Sequence, residues 1–442
     1  MERKELGLVF FPAFDWAISQ THPERQERLL YTRDQLLEEG VLDLPQIREY
    51  RPGMAEWADL ERVHIGVPGL ESLVKDAHRV AAGGAIEAGK AVCSGETARA
   101  FALVRPPGHH AMRVVHGTRG FCTVNMEAIM IEHLRRHHGI GRVAIVDTDV
   151  HHGDGTQDIY YHDPDTLFIS FHQDGRTLYP GSGFVEEQGG PAAFGTTFNI
   201  PLPVGTGDAG LHRVLDELVL PVLADFKPDL IINSAGQDNH YSDPLANMSV
   251  TAQGYGRLAE KLRADVAVLE GGYSIEGALP YVNLGILLAM AGLDYSRVIE
   301  PDRERCPAQS ADVTAYIEKL IQERRQTWRE RENLKRREIA RWGDEWQRRR
   351  SVYYDDSGIE EEQRETARLC HHCYGWQGID TSSRGSFGRK SAYAAIIPRN
   401  ACKRCLQEAQ DAVWSAKQAG RHQYYYIQNR QTDCLERIGG KK

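Results

Sequence analysis

A series of short, almost continuously apolar runs constrains what this chain can fold into. They lie at residues 6–11, 101–104, 142–146, 167–172, 197–203, 229–236 and 265–272. Stretches of helical pattern separate them, at 21–30, 70–92, 124–138, 210–224 and 251–263. Thr21 is placed to cap the first helix, with Pro23 in its first turn. Apolar strands alternating with helices predict one parallel sheet covered on both faces. The carboxyl ends of such strands share one edge, where open α/β sheets bind their ligands.

The polar residues just beyond these runs carry the chemistry. His109 and His110 follow the run at 101–104, and Asp147, Asp149, His151 and Asp154 follow the run at 142–146. Asp238 and Asp243 follow residues 229–236, and Tyr273 follows residues 265–272. Asp149 and His151 are two apart, so in an extended segment both side chains point the same way. A carboxylate and an imidazole held together suit zinc or a similar divalent ion. Asp238 and Asp243 compete as the third ligand. A metal with an open position activates water and polarises a carbonyl, a nearby imidazole moves the proton, and a phenol steadies an oxyanion. These are the parts of a metal-dependent amide hydrolase.

The motifs Arg105-Pro-Pro-Gly-His-His110, Gly120-Phe-Cys122, Asp147-Thr-Asp-Val-His-His-Gly-Asp-Gly155, Ser234-Ala-Gly236, Asp243-Pro-Leu245 and Glu270-Gly-Gly-Tyr273 occur in that order. Together they resemble the zinc-dependent histone deacetylase family, and more narrowly its class II branch and the bacterial acetylpolyamine amidohydrolases. The resemblance covers residues 5–295 and implies a three-layer α/β/α, arginase-like sandwich around a parallel sheet. It implies Asp149, His151 and Asp243 as zinc ligands. His109 is expected to bond Asp147, and His110 to bond Asp154. His110 is expected to act as general base and then acid, and Tyr273 to stabilise the oxyanion. Phe121 and Tyr179 match the aromatics of an acyl-lysine channel, and the Gly120 carbonyl matches the acceptor of the substrate N–H. Asp147, Asp149, His151, Ser170 and Phe171 match a K⁺ site. Val250 stands at the gatekeeper position, where an apolar residue counts against cationic polyamines. Gln237, Thr148 and residues 123–126 depart from the family pattern without removing a catalytic group. The substrate expected first is acyl-lysine in protein, then acetylpolyamine or another small N-acyl amine. A non-catalytic acyl-ligand binding protein and arginase-like two-metal chemistry are the opposed readings.

The 442-residue chain changes style near residue 300. Residues 301–442 hold 28 Lys and Arg against 21 Asp and Glu, whereas the whole chain has a net charge of −9. Two units with different partners are therefore expected. The divisions read as a catalytic domain at 1–300, a charged helical linker at 301–362 and a four-cysteine module at 363–442. Within the linker, 311–350 reads as a long helix or a helical pair with a solvated mixed-charge face, a nucleic-acid surface being the alternative, and 351–362 as a flexible acidic hinge. Cys370, Cys373, Cys402 and Cys405 form two CxxC pairs, the pattern of a closed structural zinc site in a zinc-ribbon-like module. A redox dithiol pair, or ligation through His371 or His372, is the alternative. Arg399, Lys403 and Arg404 suggest nucleic acid as the module's partner; Trp414 and Tyr424–Tyr426 suggest a protein, or another copy of the chain. No window is long and apolar enough for a membrane span, and the first run is too short for a signal peptide, so a cytoplasmic location without membrane contact is expected.

Overall fold

The computed structural model describes residues 4–11, 16–386 and 388–440. The first part of the chain supplies β1 (Lys4–Phe11), β2 (Ile47–Tyr50), β3 (Ile65–Gly66), β4 (Thr97–Val104), β5 (Val114–Val115), β6 (Val143–Asp147), β7 (Thr166–Gln173), β8 (Thr197–Leu202), β9 (Leu230–Ala235) and β10 (Val266–Leu269). Its helices are α1 (Glu27–Glu38), α2 (Trp57–Glu61), α3 (Asp76–Cys93), α4 (Met126–His138), α5 (Asp154–Tyr160), α6 (Asp208–Val214), α7 (Leu220–Phe226), α8 (Ala252–Leu262) and α9 (Leu279–Met290). Eight strands form the main sheet in the order β2-β1-β4-β10-β9-β6-β7-β8, and every pairing in it is parallel.

The strands are apolar on both faces because both faces are covered. Ala144 and Val146 of β6 enter one core with residues of α1 and α6 to α9. Val143 and Ile145 enter a second core with residues of α3 and α4. This two-residue alternation divides the β6 run between two layers of helices. The three-layer sandwich expected from the sequence is present. Helix α1 starts at Glu27 with Gln26 as its cap, so Thr21 does not cap it. The preceding segment is instead drawn inward by Glu24, which is fully buried between Arg28 and Arg105.

Residues 311–342 form one helix, α10 (Ala311–Trp342), and it is not a free linker. Ile317, Leu320, Ile321 and Trp328 are buried in the first core, with the Trp328 ring edge-on to Phe198 at 5.7 Å. The remainder is a six-stranded sheet of β11 (Glu345–Tyr354), β12 (Ile359–Arg368), β13 (Trp376–Gly385), β14 (Gly388–Ile397), β15 (Tyr424–Asn429) and β16 (Cys434–Gly440), with α11 (Lys403–Ala419) between β14 and β15. It is larger than a zinc ribbon, and the expected division at 362/363 falls inside β12. Residues 351–362 are not a hinge. They form the β11–β12 hairpin, and Glu361 and Glu365 are buried against Tyr354, Thr381, His162 and Arg348.

The second sheet packs on the catalytic part through shared apolar clusters. Ile65, Val67 and Val114 lie with Ile379, Ala394, Ile396 and Tyr426, and Met112 lies with Val352 and Tyr354. Among the described residues, no helix is long and apolar enough to cross a membrane.

Candidate active site

Four adjacent central strands deliver the site. The loops after β4, β10, β9 and β6 bring His109 and His110, Tyr273, Asp238 and Asp243, and Asp149, His151 and Asp154 to one sheet edge. The His109–His110 backbone is fixed from below, because the buried Glu270 carboxylate accepts from Gly108 N at 2.8 Å and His109 N at 3.0 Å.

The two histidines have different partners. His109 Nδ1 lies 3.2 Å from Asp147 Oδ2, and its Nε2 lies 3.8 Å from Asp149 Oδ1. His110 Nδ1 lies 2.8 Å from Asp154 Oδ1, whose other oxygen is 2.6 Å from Arg119. The rings are 4.1 Å apart. Burial opposes a charge on His109, but Asp149 and Asp147 raise its pKa well above the usual histidine value. Burial and the neighbouring His109 take His110 down to about 3. Arg119 and the His110 bond keep the Asp154 carboxyl low against the opposing effect of its burial.

Beside them, one donor atom each from Asp149, His151 and Asp238 lie within 4.8 Å of one another. His151 Nδ1 is 3.1 Å from both Asp149 Oδ1 and Asp238 Oδ2. The other Asp149 oxygen accepts from Gly271 N at 2.7 Å, and the other Asp238 oxygen from Val150 N at 2.8 Å. Two buried carboxylates and an imidazole at this spacing fit a divalent ion with mixed N/O ligands. Asp243 is outside this triplet. Its oxygens accept from Leu245 N at 2.9 Å and Tyr273 N at 2.7 Å, and burial together with nearby Asp238 raises its pKa to about 7.

Tyr273 is buried, and Phe121 meets its ring edge-on at 5.5 Å. Tyr179 stands edge-on to His110 at 5.1 Å. Phe121 and Tyr179 are thus gathered around the tandem histidines and Tyr273. Ser170 and Phe171 are fully buried in β7, with Ser170 paired to Asp147 of β6. Val250 is not at the mouth: it has no exposed surface and lies in the main core, pairing with His240, which removes it as a gatekeeper.

Several contributors had no signal in the sequence. Arg28 donates to the carbonyls of Glu270 at 2.5 Å and Gly272 at 2.8 Å, and its guanidinium lies 4.9 Å over the Tyr273 ring. His22 meets Phe121 edge-on at 4.3 Å. Asp355 and Asp356 reach the same loop from the second sheet. The four cysteines of the two CxxC pairs also come together, with Sγ atoms within 4.8 Å, and His371 and His372 are exposed outside that set.

Comparison with known proteins agrees with this geometry. The family profile described as "Histone deacetylase domain" matches residues 69–283. A "Probable deacetylase" of Archaeoglobus fulgidus is 47% identical over 324 residues, spanning 67% of this chain and 89% of the relative. The "Acetylpolyamine amidohydrolase" of Burkholderia pseudomallei is 42% identical over 197 residues, spanning 43% of this chain and 56% of its own. The solved HDA15 HD domain superposes with a TM-score of 0.64 at 26% identity, covering 76% of this chain and 99% of that one. With these relatives and this site, the chain belongs to the histone deacetylase family of amide-hydrolysing deacetylases.

Proposed function

We propose that this protein hydrolyses N-acyl amides of primary amines, with acyl-lysine in protein as the first substrate class. The observation that carries the reading is the convergence at one sheet edge of two carboxylate-paired histidines, the Asp149–His151 pair and Tyr273. Asp149, His151 and Asp243 would hold a zinc ion. Asp243 is 6% exposed and Asp238 not at all, which favours Asp243 as the more open of the two competing carboxylates. Bound there, zinc supplies Lewis acidity to the acyl carbonyl and to water. His110 is held through Nδ1 by Asp154, so its Nε2 is the nitrogen that takes the proton of the attacking water. The same proton passes to the departing amine nitrogen as the C–N bond breaks, giving a carboxylic acid and an amine, and the acid's remaining proton then passes to the amine to leave a carboxylate and an ammonium. The Tyr273 hydroxyl donates to the oxyanion. Phe121 and Tyr179 flank the acyl chain, and the Gly120 carbonyl accepts the substrate N–H.

Asp147, Asp149, His151, Ser170 and Phe171 would hold K⁺ beside this centre. Cys370, Cys373, Cys402 and Cys405 would hold a second, structural zinc. The backbone N–H groups of His372 and Gly375 donate to Cys370 Sγ at 3.4 Å and Cys373 Sγ at 3.3 Å, as thiolates require. The relative named an acetylpolyamine amidohydrolase favours a second reading, in which a small acylated amine is the substrate.

Amine release from a panel of acyl-lysine peptides and acetylpolyamines tests the function. His110→Ala and Tyr273→Phe should each lower kcat by about 10²–10⁴-fold, with zinc content unchanged. Release that persists in both variants would remove the assigned roles. The best member of the panel identifies the substrate class.

A further inference from the structure

We propose that the hairpin tip Asp355–Ser357 is a positioning element of the active site, setting the Gly120–Phe121 corner of the acyl channel so that the C-terminal sheet takes part in substrate binding. The inference rests on the channel reading above. Gly120 and Phe121 are successive residues in the left-handed region, with φ of 50° and 68°. That conformation is unfavourable for a residue with a side chain such as Phe121. Successive N–H groups in such a turn form a small concavity that takes an anion.

Here the anions come from the second sheet. Gly120 N donates to Asp355 Oδ1 at 2.9 Å, and Phe121 N donates to Asp356 Oδ2 at 2.7 Å. Thr118 N donates to Ser357 Oγ at 2.8 Å, and the Tyr179 hydroxyl lies 3.4 Å from Asp355 Oδ1. Both channel aromatics are therefore tied to one hairpin tip. On its inner side the corner has no slack: a Cβ on Gly120 would stand 2.4 Å from His110 Cδ2. A small displacement of the tip would therefore move Phe121 against Tyr273.

The tip is itself anchored. Tyr354 is buried, and its hydroxyl lies 2.8 Å from the Val114 carbonyl and 2.9 Å from Glu361. Val352 and Ile359 pack on Met112, close in sequence to the tandem histidines. The family profile ends at residue 283, so this wall is supplied from outside the matched span.

The test uses the full-length, zinc-loaded protein and whichever panel substrate it turns over. D355A/D356A is expected to raise KM about tenfold or more with kcat within about twofold, because the corner binds substrate before and during reaction alike. D355N/D356N should restore KM to within about threefold, since an amide oxygen accepts from the same N–H groups. Hydrogen exchange at residues 118–121 should lose protection in the alanine pair and keep it in the asparagine pair, whether or not a substrate has been found. Unchanged KM and protection in the alanine pair would overturn the proposal. So would a fall in kcat at unchanged KM, or an asparagine pair no better than the alanine pair. If the alanine pair lowers the melting temperature, D356A alone, which frees only the Phe121 N–H, must still raise KM at unchanged kcat. Wild-type protein that releases no amine yet shows the exchange pattern would count against the catalytic reading and leave the positioning role standing.

Discussion

Glu24→Gln tests whether charge holds the floor beneath Tyr273. Glu24 accepts from Arg28 at 3.0 Å and from Arg105 Nε and a terminal nitrogen at 2.8 and 2.5 Å, and all three side chains are fully buried. Arg28 also fixes the Glu270 and Gly272 carbonyls and covers the Tyr273 ring. Two buried guanidiniums thus share one carboxylate. Burial opposes its ionisation, but the guanidiniums win and hold the Glu24 carboxyl below its ordinary value of 4.5. The neutral glutamine removes the carboxylate that the buried Arg28 guanidinium is paired with, at a cost of about 3–5 kcal/mol. Urea unfolding followed by tryptophan fluorescence should show that loss near neutral pH as a lower midpoint at unchanged slope. Trp16 is a local reporter, because its carbonyl accepts from Arg105 at 2.9 Å. The sign with pH follows from the lowered pKa. The stabilisation is fully present above 4.5 and is lost as pH falls through the folded-state value, so the wild-type and variant curves should converge in acid. A loss below about 1 kcal/mol near neutrality, the size of an exposed pair, would refute the reasoning. So would a difference that stays constant into acid.

Three further outcomes are expected. Gly120→Ala sets a Cβ against His110 at 2.4 Å and Tyr179 at 3.0 Å, so amine release should fall by about a hundredfold or more with zinc retained. His64 is buried, its Nδ1 2.8 Å from the Met112 carbonyl while Nε2 accepts from Asn125 N at 2.9 Å; burial takes its pKa from 6.5 to about 4. Its contribution is complete above 6.5 and lost as pH falls toward 4, about 3 kcal/mol in all, and His64→Gln should flatten that part of the stability–pH curve. Cys405→Ser should remove one equivalent of zinc per chain by elemental analysis and open residues 370–405 to limited proteolysis, whereas a redox dithiol pair would leave the metal content unchanged.

The parts of the sequence that were legible are those whose signal is local. The β6 run announces a strand because each face of Val143–Val146 meets a separate helical layer. His109, His110, Asp149, His151 and Tyr273 stand within a few residues of strand ends, so the sheet's polarity brings them together. Helix α9 gave no amphipathic signal, since it is buried almost all round. Helix α5 is short, begins Asp-Gly-Thr and is buried through polar partners, so it reads as a loop. Val250 fits the gatekeeper position as an apolar residue, yet it is apolar because it lies in the core. Residues 351–362 misled for the converse reason. Asp355, Asp356 and the run Glu360–Glu362 suggest solvent, but Glu361 is buried against Tyr354 and Thr381, which tertiary packing places. Asp355 and Asp356 act on residues 235 positions away, and no periodicity in either segment records that.

The charge asymmetry has its physical account at the domain interface. An acidic first part and a basic last part suggest two units with different external partners, but part of the excess is matched within the chain. Arg350 bonds Asp158, Arg348 stands 3.6 Å from the same carboxylate, and Arg399 and Arg430 reach the buried Glu132 at 2.6 and 3.7 Å. The guanidiniums hold Glu132 far below the usual carboxylate range despite its burial. Asp158 and Glu132 are buried while most of their arginine partners stay partly exposed, so these pairs fix where the second sheet sits by satisfying two buried carboxylates. Arg399 pairs with Glu132, and Arg404 is engaged by Glu408 at 2.7 Å, with both arginine side chains still exposed. Part of the basic charge of the second sheet therefore faces the acidic first part of the chain, and the hairpin it carries ends at the backbone of Gly120 and Phe121.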